Sequence, residues 1–128
     1  MGSLSAANGS PPHDGEDAFI VKQYVIQTLI LDVLERDIKR LAASGLKLAD
    51  IYVQRLRQAQ DDASTDLFRL RRQFRQRGIK VYEEEREQHG VRVQYVCRGY
   101  HHSFYMLRGL IRAEVKSLMQ KYLHMSAT

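Results

Sequence analysis

After position 12 the chain contains no proline; its two prolines stand side by side as Pro11 and Pro12. More than a hundred consecutive residues are thus free of the side chain that most strongly breaks a helix. Two long stretches use that freedom. Over 17–43, Ile20, Tyr24, Leu31, Leu34, Ile38 and Leu41 recur at helical spacing and share one face. Val21, Val25, Leu29, Ile30 and Val33 widen that face beyond a single stripe, so this helix is expected to touch more than one neighbour. Asp14, Glu16 and Asp17 place negative charge at its start, and Ser44-Gly45 supplies the stop. Over 47–77, Leu56, Ala59, Ala63, Leu67, Leu70 and Phe74 form a narrow seam whose alanines permit close approach. The weak helix formers of 61–66 interrupt it, but the seam keeps phase, which predicts one helix of roughly 45 Å ending at Gly78.

The period then changes from helical to alternating. Segments 79–84 and 91–98 read as strands, with Val91, Val93, Tyr95 and Cys97 on one face. Pairing Val81 with Tyr95 sets Ile79 opposite Cys97 and Glu84 opposite Arg92, with a polar loop near 85–90. A third helix is expected over 101–124, with Phe104, Leu107, Ile111, Val115, Leu118 and Tyr122 as its stripe. Residues 1–16, rich in Gly, Ser, Ala and Pro, read as a flexible tail, and 17–125 as a single domain. The expected fold is mainly α with a small β-hairpin near 79–98. Its order is helix–helix–hairpin–helix, a long antiparallel helical hairpin packed on a third helix.

Composition excludes some classes of function. One cysteine permits no disulfide within the chain, and no apolar run reaches the roughly 18–20 residues that span a bilayer. The N-terminus shows no basic region followed by an apolar one, so a cytoplasmic location is expected. Charge is uneven: residues 1–50 hold five Lys/Arg and seven acids, residues 51–128 fifteen Lys/Arg and eight acids. A basic region of that kind suits nucleic acid or an acidic partner.

Two elements of the text, GIKVYEEER at 78–86 and YVCRGY at 95–100, precede a helix ending MQKYL, and a Lys47-Leu48…Tyr52 pattern opens the second helix. In these the chain resembles a family of small uncharacterised cytosolic proteins from spore-forming Gram-positive bacteria, over about residues 20–123. The resemblance implies a small bacterial domain and brings no activity, cofactor or site residue with it.

The densest polar feature is Arg69, Arg71, Arg72, Arg75, Arg77 and Lys80, six cations with no acid among them. On a helix end such a ridge can track phosphates or an acidic partner. It is also what the helix dipole favours at a C-terminus, and a solvated face is the stronger expectation. Tyr95, Tyr100 and Tyr105, beside Arg92, Arg98 and Arg108, are candidates for stacking bases, although core packing is the commoner use of such aromatics. His101 and His102 are adjacent and diverge on a helix, so they do not chelate one ion even if His89 and Cys97 lie near. Glu83, Glu84, Glu85 and Glu87 read as a solvated hairpin end. Cys97 reads as a small buried hydrophobe, and no nucleophile, phosphate-loop or dinucleotide motif accompanies it.

The expectation is a non-enzymatic binding or regulatory domain acting through protein contacts, with the wide apolar surface of the first helix and the narrow seam of the second pointing to homodimerisation, and no cofactor. The alternative is a nucleic-acid binder that uses the arginine ridge for phosphate contacts. A third reading, an enzyme centred on Cys97 and His101, ranks below both.

Overall fold

The computed structural model describes residues 15–126. Its order is α1 (Gly15–Ala42), α2 (Ala49–Arg77), β1 (Ile79–Glu87), β2 (Gly90–Cys97), β3 (Tyr100–Leu107) and α3 (Arg108–Tyr122). Of the tail expected over 1–16, residues 1–14, Asp14 included, lie outside those described, and Gly15 and Glu16 belong to α1.

Helices α1 and α2 form the antiparallel pair that the two periodic stretches predict. Acids in the first turn of α1, Glu16 and Asp17, and Lys39 and Arg40 in its last turn complement the dipole. Gly45, with φ of 79°, lets the chain reverse. α2 runs unbroken through Asp61–Asp66, with the Thr65 hydroxyl donating to Asp61 O at 3.1 Å. The seam explains the continuity. Ala59 and Ala63 are fully buried against Ile30 and Leu34 of α1, so α2 gains more from staying in phase than its weak formers lose.

The expected single hairpin is instead a three-stranded antiparallel sheet in the order β1-β2-β3. Residues 100–107, expected to open the third helix, form β3, and the helix begins only at Arg108. The cause is local. Arg98 and Gly99 have φ of 50° and 88°, the two left-handed positions of a two-residue hairpin turn, and they place Tyr100 opposite Cys97. Phe104 and Met106 then face the core while Ser103 and Tyr105 face away, an alternation that the helical reading of Phe104 and Leu107 concealed. Leu107, expected in the stripe, is 60% exposed.

Register holds at one end of the β1–β2 pair and slips at the other. Ile79 lies opposite Cys97 and Val81 opposite Tyr95, as predicted, but Glu85 rather than Glu84 meets Arg92. A bulge at Tyr82 inserts the extra residue. The strands also run further than expected, leaving only Gln88 and His89 between them. At Gly90 a Cβ would strike the carbonyl oxygen of Met106, so only glycine fits there.

The core has two parts. The first half of α1 (Ile20, Val21, Val25, Ile26), Phe74 of α2 and the inner sheet face (Val91, Val93, Tyr95, Cys97, Met106) make one. Ile30, Leu34, Ala59, Ala63 and Tyr122 make the other, under the end of α3. In that second part Gln27, itself buried, donates to Ala63 O at 2.9 Å and to the Tyr122 hydroxyl at 2.7 Å. The Tyr122 hydroxyl donates to Asp66 at 2.5 Å, and Arg55 donates to Tyr122 O at 2.9 Å. Burial, and then the Asp66 carboxylate, push the Tyr122 hydroxyl up to about 12.

Candidate functional site

The arginine ridge divides in three dimensions. Arg77 turns inward: it donates to Asp17 at 2.9 Å and lies 3.0 Å from Glu16. Arg69 is bound to Asp66 at 2.6 Å, one helical turn away. Lys80 sits on β1, opposite Val96 on the outer sheet face. Arg71, Arg72 and Arg75 remain together, exposed on α2, with no ion pair among the described residues.

Asp17 is the residue that sequence reasoning missed. It is 3% exposed, at the start of α1, and gathers three donors from distant parts of the chain. Arg77 reaches one carboxylate oxygen; Arg98 at 2.8 Å and the Cys97 thiol at 3.2 Å reach the other. Burial raises its pKa, but the hydrogen bonds from Arg77, Cys97 and Arg98 outweigh it and hold the carboxyl down to about 2. Arg98 is also fixed through its backbone, with its N–H donating to Gly78 O at 2.9 Å and its guanidinium to Arg77 O at 2.9 Å. One of the sequence elements behind the family resemblance, CRGY, therefore supplies two of the three donors to this buried carboxylate, and Gly78 of the other, GIK, is tied to it through the Arg98 backbone N–H. An acid in a first helical turn reads in sequence as a dipole partner, and nothing local signals its contacts 60 and 81 residues away. Cys97 is buried as expected but is a hydrogen-bonded thiol as well as an apolar filler.

The aromatic candidates do not share a surface. Tyr95 is 3% exposed on the inner face, stacked on His102 with ring centroids 5.0 Å apart. Tyr105 lies on the outer face under Arg92, whose guanidinium carbon is 5.2 Å from the ring centroid. Tyr100, 41% exposed, sits beside the β2–β3 turn. The two histidines diverge on a strand rather than on a helix. His102 faces inward, while His101 lies outward, its Nδ1 3.1 Å from the Tyr82 hydroxyl. Cys97 and His101 consequently occupy opposite faces of the sheet and form no dyad. The β1 carboxylates are exposed or half-buried along the sheet edge, with Glu83 accepting from Gln94 at 2.9 Å. No group of three metal-ligating side chains gathers among the described residues.

The apolar surface lies elsewhere than expected. The face of α1 is covered within one copy of the chain, with Val21, Val25, Ile30 and Leu34 fully buried, so its width does not call for a second copy. α3, only 15 residues against the 28 of α1, leaves an open groove of about 390 Å³ on one flank, which includes Phe19, Lys22 and Glu114. A second groove of about 620 Å³ on its other flank includes Leu29, Val33, Met119 and Leu123. Beyond the end of α3, the tip of the helical hairpin exposes Leu46 (53%), Leu48 (55%), Ile51 (53%) and Tyr52 (46%).

What these features define is a helix-rich α+β domain whose polar clusters tie distant elements together. The family model for the YhjD protein matches residues 12–127, and the chain belongs to that family. Over 104 residues it is 26% identical to "Uncharacterized protein YhjD" of Bacillus subtilis (strain 168), covering 81% of this chain and 87% of that protein. The resemblance seen in the GIKVYE and RGY elements is thus borne out at the level of a family of uncharacterised bacterial proteins. No solved structure matches the chain. No helix among the described residues is long and apolar enough to cross a membrane.

Proposed function

We propose that this chain is a non-catalytic binding domain that pairs with a second copy of itself through the tip of its helical hairpin. The observation that carries this is the cluster Leu46, Leu48, Ile51 and Tyr52, four large side chains half exposed within seven residues. Large apolar side chains left exposed next to one another mark a candidate interface. Tyr52 lies on the same side of α2 as the buried Ala59, so the seam that α1 and α3 cover elsewhere continues past them. Two such helix pairs laid tip against tip give each the layer it lacks, as in a four-helix arrangement. A two-fold contact of this kind uses the same patch from both copies, so one apolar cluster suffices.

Sedimentation velocity between about 1 and 100 μM, a range that brackets ordinary weak dimers, tests this. The expected result is a dimer that Leu48→Glu and Ile51→Glu each convert to monomer, with the circular dichroism spectrum unchanged. A wild-type chain that stays monomeric at the highest concentration overturns it.

A further inference from the structure

With Arg77 turned inward and Arg69 paired to Asp66 on the surface, the exposed Arg71, Arg72 and Arg75 near the end of α2 form one stripe with an aromatic side chain at its head. At 100° per residue, Phe68, Arg71, Arg72 and Arg75 fall within an arc of about 100°, on the flank of α2 beside the Ala63–Leu67–Phe74 seam. All four are exposed, and Phe68, at 60%, matches the barest large apolar side chain of the described residues. Neither burial nor a neighbouring ring accounts for it. The stripe is about 10 Å long, seven residues of helical rise. No acid occurs between Leu67 and Lys80 to neutralise it.

We infer that this stripe is a contact surface for single-stranded nucleic acid, with Phe68 stacking on a base and Arg71, Arg72 and Arg75 holding the flanking phosphates. A ligand for it needs dense negative charge and an accessible flat apolar face within the same 10 Å or so. A single strand supplies both in each nucleotide. A duplex supplies the phosphates but keeps its bases stacked inside, leaving Phe68 without a partner. An acidic peptide supplies charge, but it offers a flat face only where an aromatic residue stands among its acids, whereas every nucleotide carries both. The surface is separate from the hairpin tip, so the inference stands or falls independently of self-association.

Three phosphate contacts predict weak binding whose log affinity falls against log salt with a slope of about −2. Loss of one stacked base predicts a drop of about five- to a hundredfold. The measurement is fluorescence anisotropy with a labelled single-stranded oligonucleotide, as RNA and as DNA, against its duplex and a labelled poly-glutamate peptide. The expected result is a preference for the single strand, a tenfold order of loss in Phe68→Ala with the salt slope kept, and a flattened slope in the Arg71→Gln, Arg72→Gln, Arg75→Gln variant. The RNA and DNA arms assign the sugar. Equal affinity for the duplex, tighter binding of poly-glutamate, insensitivity to Phe68→Ala, or no binding at low salt each overturns the inference. Unchanged circular dichroism establishes that the variants fold, since all four side chains are exposed.

Discussion

The two ends of the α1–α2 pair are built on opposite terms. At one end the sheet lies across both helices, and the start of α1 is locked to the end of α2 and the β2–β3 turn through Asp17. At the other, past the last turn of α3, no third element among the described residues lies over Leu48, Ile51 and Tyr52. Stability is therefore expected to concentrate toward the covered end and the middle, leaving the tip free to tolerate change. In a small domain, surface spent on contact with others cannot also serve the core. The difference teaches where to look for function: substitutions that unfold the chain should map to one end, and those that alter its company to the other.

The sharpest contrast comes from the middle, where α2 and α3 both cover α1. Ile30 is fully buried against Ala59, Ala63 and Tyr122. Ile30→Ala leaves a cavity that these rigid neighbours cannot close, so a loss of about 3–4 kcal/mol is expected. Urea denaturation read by circular dichroism checks it. A loss under about 1 kcal/mol would mean that the covered part of the pair is packed no better than the tip.

Next comes the ion cluster. Asp17→Asn keeps the shape of the side chain but removes the charge that two guanidiniums face, at an expected cost of about 2–3 kcal/mol. The pH dependence has a defined sign. Because the folded carboxyl is held at about 2, below its ordinary 3.8, its contribution is complete above about pH 4 and is lost as pH falls toward 2. The gap in urea midpoint between wild type and Asp17→Asn should accordingly be wide at pH 6 and narrow at pH 2. A constant gap would assign the cost to packing instead of charge.

Tyr122 tests the same logic with a neutral donor. Tyr122→Phe leaves Gln27 still bonded to Ala63 O and Asp66 still paired with Arg69, so about 1 kcal/mol is expected to be lost. Its hydroxyl is pushed up to about 12 from 10, so its contribution is complete below pH 10 and fades as pH rises through 12. Wild type and Tyr122→Phe should converge in stability on the alkaline side, the mirror image of Asp17.

How much of this was legible depends on how local the cause is. The helices and the Ala59–Ala63 seam follow from spacing within single segments, and α2 stayed whole because its seam outweighs the five weak formers around Ala63. The register at Ile79 and Val81 also came from pattern, and it failed only past Tyr82, where one bulged residue shifts every later pair. β3 was misread because Phe104 and Leu107 satisfy a helical interval as well as a strand. The deciding signal was the Arg98-Gly99 turn, two residues between alternating segments. Asp17 was not legible at all, since its meaning lies in partners brought from the far end of α2 and from β2 by the completed fold. The ridge was visible as charge, but only the fold says that Arg77 belongs to Asp17 and that Arg71, Arg72 and Arg75 do not.

The smallest expected effect on stability bears most directly on function. Ile51 is 53% exposed in the first turns of α2, and its substitution by Glu removes little packing and creates no buried charge. A change within about 0.5 kcal/mol is expected in urea denaturation at low micromolar concentration, where a weak pair is largely apart. At higher concentration the same comparison acquires a second meaning. If the tip joins two copies, the wild-type midpoint rises with protein concentration, because association stabilises only the folded chain, while that of Ile51→Glu stays fixed. Parallel midpoints for the two proteins across the whole range would show that the tip contributes neither to the fold nor to an assembly. The exposed apolar side chains at the bare end would then need another explanation, and the contrast between the two ends would reduce to one of packing alone.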